Sequence, residues 1–190
     1  RASAKNNVSG TTSKSNNAIQ NAKQLSRVDK HNYRKYDNNQ DDICIVRGTN
    51  SLYEDVKQLY LDLFEESRIK YNEKQRETRK INDYFSHISD NAKNDLACEF
   101  IIELGNKKYW DTNDMDFKKK MTNVYKKQVE DLEMLVPNFK IASAIIHYDE
   151  TSPHMHIVGV PVKEKNKYGM ELQVGKSDVF TKDSLKVLQD

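Results

Sequence analysis

The sequence has few cysteines, almost no net charge and no long apolar run. Two cysteines in 190 residues exclude a disulfide-stapled secreted scaffold. Cys44 and Cys98 each lie in an apolar, strand-like run and read as reduced, buried thiols of a cytosolic protein. No apolar stretch approaches the roughly 20 residues that a bilayer-crossing helix needs, so no membrane partner is expected. A net charge of +2, from 31 basic and 29 acidic residues, leaves composition silent on nucleic acid. Only the placement of charge can argue for that partner. Apolar residues make up 36% of the chain, which is low but enough for one core. The opening RASAKNNVSGTTSKSNN is polar and carries no signal-peptide pattern. The chain starts at Arg1 without Met and ends on TKDSLKVLQD, a helix in progress. The expectation is a single domain over residues 1–190, the N-terminal part of a longer protein, with residues 1–17 flexible or partly extended.

What is present is periodic. Ile19, Ala22, Leu25 and Val28 make a thin helical stripe between Asn17 and Lys35, with His31 near its end. DNNQDD reads as a turn, and ICIVRG (43–48) as a short strand. A long helix starts at Ser51, which forms a capping box with Glu54. Its buried face is Val56, Leu59, Tyr60, Leu63 and Phe64. CEFIIEL (98–104) is a strand, and a second long helix runs from Met115 to Leu135, ended by Pro137. IASAIIHY and HMHIVGVPV form a hairpin around DETSP, and TKDSLKVL is a last helix capped by Thr181. Two long amphipathic helices on a mostly antiparallel sheet predict an α+β fold.

Of five histidines, three fall in HYDETSPHMH, residues 147–156. Residues two apart on a strand share a face, roughly 6.5 Å apart along the backbone. His154 and His156 therefore project together, and His147 reaches them across the hairpin. Three neutral nitrogen donors with positions left open suit a catalytic metal rather than a closed structural one. The exposed double charge of such an ion suits an anionic phosphodiester. Asp149 is placed to accept the second N–H of a ligand histidine. His87 has no partner in the sequence and reads as structural.

The motif HYDETSPHMHIVGVPV resembles the metal motif of the Mob/Pre plasmid relaxases, the MobV class of the HUH endonuclease superfamily. DKHNYR (29–34) is similar to the family's K-H-N-x-R segment, and RETRK (76–80) to its basic R-x-x-R-K segment. The resemblance covers about residues 20–165 and implies the ferredoxin-like, palm-type sheet of an HUH relaxase. It implies a bacterial, cytoplasmic enzyme that nicks one strand at an origin of transfer, keeps a covalent 5′-phosphate adduct and later reseals it. Conjugative mobilisation of a plasmid or integrative element is the implied role. Carried across, His147, His154 and His156 hold the metal, and Glu150 sits beside it to orient a neighbour or take a proton. His31 is the implied nucleophile with Arg34 near it; Arg34, Arg76, Arg79 and Lys80 are implied DNA contacts. The implied ion is Mn²⁺ or Mg²⁺, although three imidazoles also suit Zn²⁺ or Ni²⁺. The implied partners are single-stranded DNA at the nick site with its adjoining hairpin or duplex, and a coupling protein or accessory transfer proteins.

Three alternatives stay open. Tyrosine is the usual nucleophile elsewhere in the superfamily, and Tyr33 and Tyr36 flank His31. A rolling-circle replication initiator is a second enzyme reading. A DNA-binding module with a structural metal is the non-enzymatic one. The lysines over 118–127 are read as solvent faces of the second helix, and the 74–80 stretch as a phosphate contact.

Overall fold

The structure, a computed structural model, describes residues 18–36, 42–91, 93–105, 107–112, 114–150 and 152–188. The N-terminal segment 1–17 and most of the DNNQDD turn lie outside the described residues. Six strands form the sheet: β1 (Ala18–Ile19), β2 (Ile43–Arg47), β3 (Ala97–Glu103), β4 (Phe139–His147), β5 (His154–Lys163) and β6 (Gln173–Val174). The spatial order is β1-β3-β5-β4-β2, with β6 added to β5, and every pairing is antiparallel. The helices are α1 (Ala22–Asn32), α2 (Leu52–Glu73), α3 (Tyr84–Ser89), α4 (Lys107–Trp110), α5 (Met115–Lys120), α6 (Thr122–Leu135), α7 (Lys176–Val179) and α8 (Lys182–Val187). A 3-10 turn spans Glu77–Arg79.

The sheet is sandwiched, because both of its faces are apolar. Ile145, Val158 and Val160 join Leu25 of α1, four apolar residues of α2 (Leu52, Val56, Tyr60 and Phe64) and Phe85 of α3 in one core. Ala144, Ile146, Met155 and Ile157 join Tyr125, Val129 and Leu132 of α6 in the other. Successive strand residues point to opposite faces, so His154 and His156 share the α1–α2 face with Val158. A bulge between Ile141 and Ser143 sets the β4 register so that His147 pairs with His154 and Ile145 with His156. The expected pairing of β4 with β5 is therefore present, with all three histidines on one face at its tip.

Three elements differ from the sequence reading. The stripe from Asn17 is not all helix: Ala18 and Ile19 pair with Cys98 and Ala97, and α1 starts at Ala22. Asn21 causes the change by capping the Gln24 N–H (3.0 Å). The helix over 115–135 is two helices, broken at Met121 (φ −72°, ψ −8°). The Thr122 hydroxyl donates to the Lys119 carbonyl (2.6 Å), competing with the helical ladder at that point. The capping box of α2 is half made: Ser51 Oγ accepts the Glu54 N–H (3.4 Å), but the Ser51 N–H goes to Thr49 Oγ1. Both cysteines are free thiols, Cys98 buried and Cys44 half-buried on the edge strand β2. Among the described residues, no helix is long and apolar enough to cross a membrane.

Candidate active site

Three elements build the site: the β4–β5 tip, the C-terminal end of α1 and the outer half of β3. His147 is fully buried and His156 nearly so. Their ring centroids lie 4.5 Å apart, with His154 at 5.3 and 5.0 Å from them. His31, exposed on the last turn of α1, brings a fourth ring to 5.7 Å from His147 and 5.3 Å from His156. Four of the five histidines of the chain thus meet in one place.

The hydrogen bonds assign the tautomers, because carbonyls and carboxylates only accept. His147 Nε2 donates to the Asn32 carbonyl (2.8 Å), His154 Nδ1 to the Ser152 carbonyl (2.9 Å) and His156 Nδ1 to Glu99 Oε1 (2.9 Å). The remaining lone pairs are on His147 Nδ1, His154 Nε2 and His156 Nε2. His147 Nδ1 and His156 Nε2 are buried with no hydrogen-bond partner. An unpartnered buried polar atom costs about 1–3 kcal/mol, and a metal ion removes that cost at both atoms. Two sets of ligand atoms lie within 4.8 Å of one another: His31, His147 and His156, and His147, Glu150 and His154. Both share His147. The donor set, imidazoles with one carboxylate, fits a divalent first-row ion.

Burial and the facing His156 push the His147 imidazole down to about 3. It therefore stays neutral, and competent as a ligand, at any pH near neutrality. Burial, then His156 and Arg34, also lower His31. Its ring is mainly the neutral form at neutral pH, with a nucleophilic nitrogen available.

Asp149 is not the residue that orients a histidine. Its two oxygens accept from Arg34 Nε and Nη2 (2.8 Å each), a bidentate fit of fork to carboxylate. Glu99 takes the orienting role, and it is held in turn by Asn32 Nδ2 (3.0 Å). Burial pushes the Glu99 carboxyl up, and the bonds from His156 and Asn32 more than reverse this, leaving it below its ordinary value. The available clue was a carboxylate inside the apolar run CEFIIEL, which also holds Glu103.

Arg34, expected at the DNA, is turned inward. It is 8% exposed and binds Asp149 and Glu150 inside the protein. Its φ of 51° is the left-handed C′ conformation of a Schellman ending. Arg34 N–H bonds to the His31 carbonyl and Lys35 N–H to the Lys30 carbonyl. Glycine normally fills this position, and a side chain there costs about 1 kcal/mol. The ion pairs offset that cost and tie the end of α1 to the hairpin tip. Arg34→Ala is expected to lose about 2 kcal/mol of stability, reduced from the buried-pair range because Glu150 is half-exposed. Arg34→Gly should lose less, since it relieves φ. Chemical denaturation of both variants measures the difference.

Neither flanking tyrosine is joined to the histidine cluster. Tyr33 is buried, its hydroxyl donates to the Thr49 carbonyl (2.7 Å), and burial pushes it up to about 12. Tyr36 is 62% exposed under the Lys30 ammonium, outside the histidine cluster. Arg76, Arg79 and Lys80 are exposed, Lys80 paired with Glu77 (2.7 Å). They follow the far end of α2, whose start is fixed beside α1 by the bond from Leu52 N–H to Asp29 Oδ1 (2.7 Å). A 22-residue helix is about 33 Å long, so this basic patch is a helix length from the histidines. His87 is stacked on Tyr84, which packs against Tyr60 and Phe64 in the middle of α2.

Residues not foreseen from sequence hold the tip from the other face. Tyr125 donates to the Pro153 carbonyl (2.6 Å), Lys118 to the Glu150 carbonyl (3.2 Å), and Thr122 bonds the Tyr148 hydroxyl. Lys118, expected on a solvent face, is therefore part of the support.

A family model described as plasmid recombination enzyme, Mob_Pre, matches residues 15–190. No curated protein sequence matches. Among solved structures, the MobM relaxase domain (MOBV; Mob_Pre) bound to plasmid pMV158 oriT DNA, Mn-bound at pH 4.6, aligns with a TM-score of 0.54 and 19% identity. A thiophosphate complex of the same domain at pH 6.8 gives the same values, and in both the alignment covers 90% of this chain and 78% of the other. A third, at pH 5.5, has a TM-score of 0.50 and 21% identity. The likeness to these structures is one of fold: an open antiparallel sheet with helices.

Proposed function

The chain belongs to the plasmid recombination enzyme family Mob_Pre, and from that premise we propose that it is a metal-dependent DNA relaxase with His31 as nucleophile. The observation that carries the reading is the exposed His31 imidazole 5.3 Å from His156, beside two buried nitrogens with no partner. Like the MobM relaxase domain, whose structures hold Mn and oriT DNA, it would take a single strand at an origin of transfer. His147, His154 and His156, with Glu150 in reach, would hold Mn²⁺ or a similar ion. When bound, that ion supplies positive charge to the non-bridging phosphate oxygens.

The residues of this chain do the rest. A nitrogen of His31 attacks phosphorus as the bond to the leaving 3′ oxygen breaks. The 5′-phosphate stays on the protein and a 3′-hydroxyl departs. The proton this hydroxyl needs is matched by the one the other ring nitrogen of His31 gives up, and Glu150, whose charge acts on His31, can carry it. The energy of the broken bond is kept in the phosphorus–nitrogen bond, so resealing needs no ATP. Arg34 fixes Glu150 by Nη2 (2.7 Å), which holds the base near the cluster.

The test uses labelled single strands tiling the DNA next to the gene. With Mn²⁺, one tile should give a slow-migrating, acid-labile adduct on a denaturing gel, and EDTA added before the DNA should prevent its formation. DNA binding with no adduct on any tile, under any of Mn²⁺, Mg²⁺, Zn²⁺ or Ni²⁺, would leave a non-catalytic binding module.

Arg76 and Arg79 would bind the backbone of the hairpin or duplex beside the nick, at the distance α2 sets. Arg76→Ala should weaken binding alike on different sequences and reduce the slope of log K against log salt by about one. A sequence-selective loss with an unchanged slope would count against this contact.

A further inference from the structure

We propose that in the DNA-free protein His31 is itself a metal ligand, so that the nucleophile is parked on the ion until a DNA strand replaces it. The inference deepens the relaxase reading and rests on it for the word nucleophile. It rests on geometry for the rest. His31, His147 and His156 offer nitrogens all within 4.8 Å of one another, a set that does not need His154. Both buried partners in that set, His147 Nδ1 and His156 Nε2, have a lone pair and no other partner. The set is held firmly on one side only. His147 and His156 are locked by the Asn32 carbonyl and Glu99, whereas the His31 side chain makes ring contacts with them and is exposed. A loosely held ligand next to two fixed ones can leave without disturbing the others.

The choice of ion follows from ligand preference. Zn²⁺ and Co²⁺ favour imidazole and accept four ligands, and His31, His147 and His156 supply three, with water or a small shift of a nearby side chain left to supply the fourth. Mn²⁺ favours oxygen, so a phosphate competes well against an imidazole on it. Zn²⁺ should therefore hold the parked form and Mn²⁺ release it. Zn²⁺ becomes an inhibitor that acts by capturing His31, not by displacing DNA.

The experiment titrates metal-free protein with Co²⁺ alone and records its visible absorption, for wild type, His31→Ala, His31→Asn and Tyr36→Ala. Losing an outer partner of a metal ligand costs about 10–100-fold in affinity, and losing a ligand should cost at least as much. Both His31 variants should bind Co²⁺ at least about tenfold more weakly and with a weaker, altered spectrum, and Tyr36→Ala should match wild type. A single-stranded oligonucleotide in excess should shift the wild-type spectrum by releasing the imidazole, and should change the His31 variants less, since there only water leaves the ion. Unaltered Co²⁺ affinity and spectrum in both folded His31 variants would overturn the inference. If His31 variants lose affinity but no DNA tile yields an adduct, the ligand assignment stands and the nicking reading falls. If wild type forms an adduct while metal binding ignores His31, the reverse holds.

Discussion

His31→Ala is expected to bind origin DNA and form no covalent adduct, a loss on the order of 10⁶-fold, as for removal of other catalytic nucleophiles. The expectation is specific because, among the described residues, neither flanking tyrosine is joined to the cluster. The Tyr33 hydroxyl is committed to the Thr49 carbonyl and faces Ser143 inside the core. Tyr36 points to solvent outside the cluster. Tyr33→Phe should keep its adduct and lose about 1 kcal/mol of stability, the usual worth of one hydrogen bond. Tyr36→Phe should change neither. The same gel decides the chemistry, since a phosphorus–nitrogen bond breaks in mild acid and a tyrosine phosphodiester survives it. An acid-stable adduct persisting in His31→Ala would move the nucleophile to an oxygen and require Tyr33 or Tyr36 to swing into the site.

The hairpin and its metal face were legible because they depend on local rules. A strand alternates faces, a five-residue loop reverses it, and HMH between apolar runs cannot place its histidines apart. His31 was legible only through the resemblance of DKHNYR, since nothing in a polar helix end announces a fourth ring. The partners of these histidines were illegible for a different reason. Asp149 lies two residues from His147 and near it, yet it bonds Arg34 instead, because a bidentate guanidinium outcompetes a single imidazole N–H for it. That pairing exists only once α1 ends in a left-handed residue, which the sequence marks with Arg rather than Gly. The break at Met121 likewise depends on Thr122, whose hydroxyl has a tertiary partner in Tyr148. Local periodicity sees the apolar stripe on both sides of that break and joins them.

Glu99→Ala is expected to have the second largest effect, and it separates orientation of the metal site from its chemistry. The carboxylate accepts from His156 Nδ1 and from Asn32 Nδ2, and Asn32 accepts His147 Nε2 on its own carbonyl. One strand carboxylate and one helix residue thus orient two of the metal-facing imidazoles and the end of the helix that carries His31. Without Glu99, His156 can adopt the other tautomer, which turns a proton toward the ion's place instead of a lone pair. Metal affinity should fall about 10–100-fold. Stability should fall by about 1–3 kcal/mol from two donors left unpaired near the core. Glu99→Gln is the sharper variant. Its amide oxygen can still accept from His156, but it has lost the charge that favours that tautomer and makes the ligand nitrogen more basic. It should keep most of the stability and lose most of the affinity. Calorimetric titration with Mn²⁺ and denaturation of the metal-free proteins give both numbers on the same samples. If affinity fell only in proportion to stability in both variants, Glu99 would be a packing residue, and the orientation of His156 would come from β5 alone.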